Sequence, residues 1–516
     1  MSHQLSLREQ FAFEQTTSNT IQLSFLKFQK TKKENKYFFT GFNRHTLSKF
    51  LSYKLGYYRI LKEDSYIIVK YNNGIVVEAQ PFTAKNELLE VLDRLDTETV
   101  DFDGSLISIN RDAILEKFAN VQPQYFTSGS LDILIELKKE FLRDTKDHSF
   151  FYFKNGIVKT SSECQELIPY TEIKNKLIWK SWINDHEIQL DQFTDHSMFE
   201  KFISNVSGSD KWNQAFISAI GYVLTNSNPP SKSQAIILYD ESITDVNNPS
   251  GGTGKGIFAK ALSYLRQQVV IDGKKFDPNS KFVFQNVAED TQVVVIDDVK
   301  PFMDFKFFHS ILSEGLTVEG KNQASWKFSS DKTPKIIISS NSVFSNKGTT
   351  NKRRQYILEF SDFYSSKIIT GVEEPVKDHH GCMFFQDWDQ KEWNRFYNFM
   401  LYCSRFYLKN GLIAIKPKNH SDNLLLIQTH EDFYIWVNDQ DFKVETTYLR
   451  DDYFTPFKQE YFGDSKELSV QKFNKWMKAF AESKAWVYHS SRSNSQSYFV
   501  FSGTENSKQD DDECPF

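Results

Sequence analysis

Four short runs of apolar, β-forming residues lie in the middle of the chain. They are Ala235 to Tyr239, Val293 to Ile296, Ile336 to Ile338, and a run that ends at Phe360. Runs that are apolar at every position, rather than at every second one, are typical of parallel strands covered on both faces. The pattern therefore predicts an α/β fold built around a parallel sheet.

Periodic patterns predict further elements on both sides of this sheet. An Asn-Gly turn between two apolar runs is typical of a hairpin, and apolar residues at helical spacing indicate amphipathic helices. The predicted hairpins join residues 66–71 to 75–79 and residues 150–153 to 157–160. The predicted helices are Ala84 to Leu95, Arg111 to Ala119, Leu131 to Arg143, Trp388 to Leu408 and Leu468 to Ser483, and Phe199 to Val223 is predicted to be largely helical.

A glycine-rich segment, PSGGTGKGIFAK, follows the first apolar run, and a helix is predicted from near Ile257. Glycine lets backbone N–H groups turn inward, and the helix N-terminus adds partial positive charge at the same point. Lys255 would then reach the β- and γ-phosphates of a nucleoside triphosphate. The predicted nucleotide-binding residues are Gly251, Gly252, Thr253, Gly254, Lys255 and Gly256.

This segment departs from the P-loop pattern G-x-x-x-x-G-K-[ST] at two positions. Pro249 stands where the first glycine belongs, and Gly256 stands where a hydroxyl would hold Mg²⁺. Thr253, Asp297 or water could replace that hydroxyl. A glycine-rich surface turn is the alternative interpretation of the segment.

Polar residues flank the other apolar runs. Asp297 and Asp298 end the second run, where a P-loop enzyme holds Mg²⁺ (Asp297) and polarises the attacking water (Asp298). Asn341 follows the third run, and its amide could orient the lytic water or sense the γ-phosphate. Arg353 and Arg354 precede the fourth run, where a guanidinium could stabilise transition-state charge. This order and spacing predict an ATP site that requires Mg²⁺.

These motifs, from about Ala235 to Phe360, resemble the ATPase core of superfamily 3 helicases, the AAA+ motors of viruses, phages and mobile elements. The resemblance implies an ATPase that works as a homohexameric DNA helicase on single-stranded and fork DNA. It makes Asn341 the sensor of the γ-phosphate and Arg354 the arginine finger, with Arg353 as the alternative. The departure at Gly256 puts one Mg²⁺ ligand in doubt.

Two further segments resemble parts of these helicases. Residues 311–328 are similar to a motif that forms a hairpin in the central pore, where Lys321, and also Trp326 and Lys327, would contact DNA. Residues 150–160 resemble the segment before the motor in poxvirus-type and phage primase-helicases, which introduces the collar of the ring.

The C-terminal region combines a basic helix face with a predicted hairpin. Residues 468–483 form an amphipathic pattern, and two apolar runs follow around SSRSNSQ, which is typical of a winged helix. Residues 466–503 carry six Lys and Arg against two Glu. Lys472, Lys475 and Arg492 are therefore candidates for phosphate contacts, with a plain solvated surface as the alternative.

The chain ends in TENSKQDDDECPF, an acidic segment predicted to be disordered. Its tip, with Asp511, Asp512, Pro515 and Phe516, resembles the terminus of bacterial single-stranded-DNA-binding proteins. That resemblance implies contact with replication proteins of a bacterial host, and a tail without a partner is the alternative.

Composition agrees with these expectations and adds little to them. The chain has 516 residues and a net charge of −5, so any positive surface for DNA must be local. The four cysteines form no C-x-x-C pair, and no apolar run is long enough to cross a bilayer. We therefore expect a cytoplasmic protein, in the bacterial host cytoplasm if a phage encodes it.

Together the patterns predict five parts of the chain. They are a small α+β accessory domain (1–105), a mostly helical collar or oligomerisation region (106–225), the AAA+ motor (226–415), a winged-helix-like domain (416–503) and the acidic tail (504–516).

Two other functions remain open at the level of sequence. A replication initiator or loader would bind origin DNA and use its nucleotide as a switch, which Gly256 favours. A primase-helicase would need a primase in the N-terminal region, where no primase motif is recognisable.

Overall fold

The structure is a computed structural model. It describes residues 25–30, 37–62, 65–94, 99–102, 105–108, 110–173, 175–190, 196–241, 252–300, 303–321, 325–341, 353–463 and 465–503. The described residues form two compact units, one within Met1–Leu142 and Thr171–Ser181, the other within Arg143–Tyr170 and Trp182–Phe516. No helix among them is long and apolar enough to span a membrane.

The first unit mixes short strands with three helices of the described chain. In chain order, its elements up to residue 142 are β1 (Leu26–Lys30), β2 (Tyr37–Phe42), α1 (Arg44–Tyr53), β3 (Tyr57–Leu61), β4 (Tyr66–Asn72), β5 (Ile75–Glu78), α2 (Pro81–Asp93), β6 (Thr99–Phe102), β7 (Ser105–Ser108), α3 (Arg111–Tyr125) and β8 (Glu140–Phe141). The chain then forms β9 (Ser149–Phe153), β10 (Gly156–Thr160) and β11 (Gln165–Ile168) in the second unit, and returns to the first for β12 (Lys176–Trp179).

A mixed sheet in the order β3-β4-β5-β12-β8 organises the first unit. The predicted hairpin between β4 and β5 is confirmed, and its turn places Asn73 and Gly74 at φ of 48° and 89°. Glycine and asparagine adopt this left-handed conformation most readily. The second predicted hairpin, β9 with β10, is also confirmed.

The helix predicted from Leu131 to Arg143 is wrong. A single 3₁₀ turn covers Leu131–Ile133, and the chain then runs extended to β8. Arg59 in β3 donates its backbone N–H to the carbonyl of Ile135 and accepts from the N–H of Leu137. The edge of the sheet therefore binds this segment, and pairing with a distant strand overrides local helix propensity.

Five parallel strands form one sheet in the second unit. They are β13 (Ala235–Asp240), β14 (Gln268–Asp272), β15 (Val293–Val299), β18 (Lys335–Ser340) and β19 (Gln355–Phe360), in the order β14-β15-β18-β13-β19. The predicted parallel sheet is confirmed, and all four apolar runs belong to it.

Helices cover both faces of this sheet, and alternate residues of each strand enter two different cores. Ile236, Leu238 and Val295 face one core, while Ile237 and Val294 face the other. The helices and the remaining short strands of this region are α4 (Met198–Ser207), α5 (Asp210–Leu224), α6 (Lys255–Leu262), α7 (Phe307–Glu314), β16 (Thr317–Val318), β17 (Trp326–Lys327), α8 (Ser365–Ile369), α9 (Pro375–His380) and α10 (Gln390–Asn410). Burial on both faces explains why the strands are apolar at every position.

The C-terminal part of the second unit has its own aromatic core. Its elements are α11 (His420–Gln428), α12 (Glu431–Asn438), β20 (Thr447–Leu449), α13 (Arg450–Tyr461), α14 (Val470–Ser483), β21 (Trp486–Ser493) and β22 (Gln496–Gly503), with sheet order β20-β22-β21. Ser469 caps α14 by accepting from the backbone N–H of Lys472, and Phe473, Trp476 and Phe480 bury one face of this helix.

Candidate nucleotide-binding site

A cavity of about 690 Å³ lies at the carboxyl end of the parallel sheet. The loop between β13 and α6, the end of β15 and the end of β18 all contribute to it. Its polar lining includes Thr253, Lys255, Lys260, Asp297, Asp298, Ser339 and Asn341. The structure thus brings together four of the five predicted catalytic residues, which are separated by up to 86 positions in the sequence. Ligand sites in open α/β sheets lie at this edge.

Two glycines of the loop have positive φ and no room for a side chain. Gly252 and Gly254 have φ of 93° and 105°. A Cβ at residue 252 would lie 2.3 Å from Cδ1 of Ile368, and one at residue 254 would lie 2.5 Å from the ring of Phe202. Gly254 directly precedes α6, so the first N–H groups of the helix point toward the cavity. Gly251 and Pro249 lie outside the described residues.

Gly256 differs from these glycines, because nothing lies within 4 Å of the position that a Cβ would take. The space for a hydroxyl side chain is present, although the sequence places none there. The departure from the P-loop pattern is therefore not imposed by packing.

Asp240, at the end of β13, binds both polar side chains of the loop. Its Oδ1 accepts a 2.5 Å hydrogen bond from the hydroxyl of Thr253 and a short ion-paired hydrogen bond from Nζ of Lys255. The side chains of Lys255 and Asp240 are 11% and 8% exposed, so the pair is largely shielded from water. The sequence patterns above do not identify Asp240 as a site residue. An acidic residue at the end of the strand before the loop is the signal that could have indicated it.

The acidic pair is held by side chains from two neighbouring strands. The hydroxyl of Ser339 donates to Oδ1 of Asp297 over 2.5 Å. Nδ2 of Asn341 donates to Oδ1 of Asp298 over 3.1 Å, and Nζ of Lys274 lies 2.8 Å from its Oδ2. The hydrogen bond with Asp298 raises the pKa of Lys274. Lys274, which follows β14, was also missed, because nothing in the local sequence links it to Asp298.

The carboxylates fit a magnesium ion that is shared with phosphates. Within the described part of the chain, no group of three or more His, Cys, Asp and Glu side chains could hold a metal ion alone. Mg²⁺ bound with a nucleotide commonly needs only one or two carboxylates, since phosphate and water oxygens supply the rest. Asp297 would hold the ion, with Asp298 beside it.

Arg354 does not line the cavity of its own chain. Its Nη1 donates to the carbonyls of Pro230 and Ser233 over 2.8 and 3.1 Å, and burial lowers the pKa of its guanidinium. To reach a neighbouring subunit, Arg354 would have to leave these internal bonds. Arg353 lies two residues before β19 and is exposed, so it could reach a neighbouring subunit without leaving a buried position.

The predicted DNA-contacting residues lie on two hairpins and a helix. β16 and β17 pair as an antiparallel hairpin, with Lys321 exposed between them and Lys327 exposed on β17. The ring of Trp326 is half-buried, 4.7 Å from that of Phe328. Lys472 and Lys475 are exposed on α14, and Arg492 is exposed near the tip of the β21–β22 hairpin. The tail residues Asp511, Asp512, Pro515 and Phe516 lie outside the described residues.

Comparisons with known proteins give structural neighbours only. The sequence matches no protein-family model and no curated protein. An apo structure of the NrS-1 C terminal region is similar, with a TM-score of 0.37 and 12% identity over 89% of this chain and 99% of that one. A JCV helicase structure has a TM-score of 0.24 and 15% identity over 40% of this chain and 53% of that one. Because both TM-scores are below 0.5, the function has to be argued from the site itself.

Proposed function

We propose that this chain is an ATP-dependent DNA helicase of the superfamily 3 AAA+ class that replicates a phage or mobile element. The observation that carries the proposal is the cavity in which Lys255, Asp297, Asp298 and Asn341 meet. These are the residue types that a P-loop enzyme needs to bind phosphates, hold Mg²⁺, polarise water and sense the γ-phosphate.

Each residue has a distinct part in this proposal. Lys255 and the N–H groups at the start of α6 bind the β- and γ-phosphates. Asp297 would hold a Mg²⁺ ion, which would supply positive charge beside the phosphates. Asp298 orients the attacking water, and Asn341, whose amide already contacts Asp298, reports the presence of the γ-phosphate.

The order of the strands in the sheet supports these roles. β18, which carries Asn341 at its end, lies between the P-loop strand β13 and the acidic strand β15. An amide in this central position can contact both the phosphate and the water-activating carboxylate. An arginine from a neighbouring subunit, Arg353 or Arg354, would complete the site in a homohexameric ring.

Contacts with DNA are assigned to the exposed cations outside the cavity. The β16–β17 hairpin presents Lys321 and Lys327, which suits a grip on single-strand phosphates. In the C-terminal part, the order helix, strand, helix, helix, strand, strand from α12 to β22 supports a winged-helix-like domain. Its third helix, α14, exposes Lys472 and Lys475. The acidic tail would recruit replication proteins of the bacterial host.

The test is the variant Lys255→Ala, measured for ATP hydrolysis and for unwinding of a forked duplex. We expect both activities to be abolished, because the phosphates lose their principal cation, while the melting temperature without nucleotide shows that the chain still folds. Lys409→Ala, an exposed lysine at the end of α10, is the matched control. Normal turnover in Lys255→Ala would refute the site.

A second function, a replication initiator or loader with a nucleotide switch, is favoured by two observations. Gly256 supplies no hydroxyl, and Asp240 pairs with Lys255. ATP hydrolysis with and without single-stranded DNA at low salt separates the two functions. Strong stimulation by DNA supports the helicase, whereas binding of ATP with negligible turnover supports the switch.

A further inference from the structure

The acidic pair lies on a β-bulge. Ile296 of β15 pairs with Ile338 of β18, and Val299 pairs with Ser340. Two residues, Asp297 and Asp298, therefore stand opposite one residue, Ser339. One extra residue in one strand is the defining feature of a bulge.

The bulge decides where the two carboxylates point. In a regular strand, successive side chains face opposite sides of the sheet. Asp297 and Asp298 are adjacent, yet both line the same cavity. Asp298 has a φ of 57°, a left-handed conformation that residues other than glycine adopt only in particular surroundings. Something must hold the backbone there.

Ser339 holds the bulge from the β18 side. Its hydroxyl accepts from the backbone N–H of Asp298 over 2.8 Å and donates to Oδ1 of Asp297 over 2.5 Å. The Ser339 side chain thus replaces the ladder hydrogen bond that the extra residue displaces. It is 4% exposed, so water cannot readily take its place.

Gly273 holds the bulge from the β14 side. Its N–H donates to the carbonyl of Asp297 over 2.6 Å. A Cβ at residue 273 would lie 2.5 Å from that oxygen and 2.6 Å from the backbone nitrogen of Val299. Only glycine permits this approach, so the bulge is confined on both sides.

We propose that Ser339 is a positioning residue of the nucleotide site, which sets the bulge and orients Asp297 toward the metal and Asp298 toward the attacking water. The inference rests on the proposed ATPase function. Ser339 borders the cavity, but both hydrogen bonds of its hydroxyl go to the acidic pair, so its proposed part is to act through Asp297 and Asp298. Its loss should therefore weaken the metal-dependent steps and leave the binding of nucleotide through Lys255 unchanged.

The experiment compares Ser339→Ala with Ser340→Ala, the neighbouring buried serine, in the full chain. Binding of a non-hydrolysable ATP analogue is first measured without metal. The affinity for Mn²⁺ in the presence of the analogue is then measured by electron paramagnetic resonance. Turnover of ATP is measured in parallel. For Ser339→Ala we expect metal affinity and kcat to fall about tenfold or more, as is usual when the support of a metal-binding carboxylate is removed. Metal-free analogue binding should match that of the wild type.

Conservative variants distinguish a loss of metal affinity from a loss of folding. Ser339→Thr keeps the hydroxyl and should restore much of the metal affinity. Ser339→Cys keeps the volume with a weaker donor, and should show the loss even if Ser339→Ala does not fold. Equal metal affinity and kcat in Ser339→Ala and Ser340→Ala would overturn the inference. Equal analogue binding by the wild type and Lys255→Ala would instead overturn the proposed function.

Discussion

A single carboxylate, Asp240, holds two side chains of the glycine-rich loop in place. It binds the two side chains of the loop that would otherwise be available to a nucleotide, Thr253 and Lys255. An ion pair this well shielded is costly to break by removal of one partner, because the other charge remains buried. A triphosphate that enters the cavity must compete with Asp240 for Lys255.

We therefore expect Asp240→Asn to bind ATP more tightly, with a Kd about tenfold lower, because the largely buried Lys255 then loses its ion-pair partner. The variant should also melt at a lower temperature without nucleotide and gain more stability from ATP than the wild type does. Titration with a fluorescent ATP analogue and thermal melting check both effects.

Glu241→Gln is the matched control, since Glu241 pairs with Lys418 and does not line the cavity. Weaker ATP binding by Asp240→Asn than by this control would mean that Asp240 orients Lys255 for the nucleotide instead of competing for it.

At the scale of elements, β18 leads to candidate site residues at one end and begins with a buried lysine at the other. Ser339 and Asn341 mark its carboxyl end, and Lys335 begins it. Nζ of Lys335 donates to the carbonyl of Ser227 and to Oδ1 of Asn228, and lies 3.9 Å from the ring centre of Tyr222. The buried pair Asp144 and Arg266 is the nearby charged group. Burial lowers the pKa of Lys335 to about 7.

This pKa predicts a rise in stability with pH. Between pH 7 and the ordinary value of 10.5, Lys335 is neutral in the folded chain and protonated in the unfolded chain. The unfolded state then binds more protons, so the free energy of unfolding rises with pH, by at most about 1.4 kcal/mol per unit. The gain is lost as pH falls to 7.

Denaturant unfolding of the wild type and Lys335→Met between pH 7 and 9 measures this effect. The wild type should gain stability relative to the variant as pH rises. Lys332 is exposed in the turn before β18, so the stability of Lys332→Met should depend on pH as that of the wild type does. If the free energy of unfolding changes with pH equally in the wild type and in Lys335→Met, Lys335 stays charged in the folded chain.

At the scale of the whole molecule, charge is distributed unevenly. The chain carries a net charge of −5, yet residues 466–503 hold six Lys and Arg against two Glu. On α14, the buried face of Phe473 and Trp476 turns Lys472 and Lys475 toward solvent. A local concentration of positive charge of this kind lets a protein with a negative net charge bind DNA at that surface.

The double variant Lys472→Ala with Lys475→Ala should weaken DNA binding about equally for all sequences, because phosphate contacts carry no sequence information. The slope of log affinity against log salt should become shallower by about 2 on duplex DNA. Fluorescence anisotropy at several salt concentrations measures both quantities.

Lys409→Ala with Lys443→Ala removes the same charge from positions outside α14 and is the control. An equal change of slope in the two double variants would assign the effect to net charge and not to this helix face.

The sequence by itself determined the elements whose signal is local. The apolar runs from Ala235 to Phe360 predicted a parallel sheet because burial on both faces demands apolar residues at every position. The turn at Asn73 and Gly74 predicted its hairpin because few residues adopt the left-handed conformation. The loop from Gly252 to Lys255 has a local signal because Gly252 and Gly254 adopt positive φ, which glycine accommodates most readily.

Tertiary structure decided what depends on distant partners. Residues 131–143 do not form an α-helix, because the edge of β3 binds the backbone of Ile135 and Leu137. The bulge at Asp297 and Asp298 exists only through Ser339 and Gly273, from strands on either side. The contacts of Asp240 with Lys255 and of Lys274 with Asp298 likewise join separate segments. Local pattern does not encode such contacts, because they are formed when the strands take their places in the sheet.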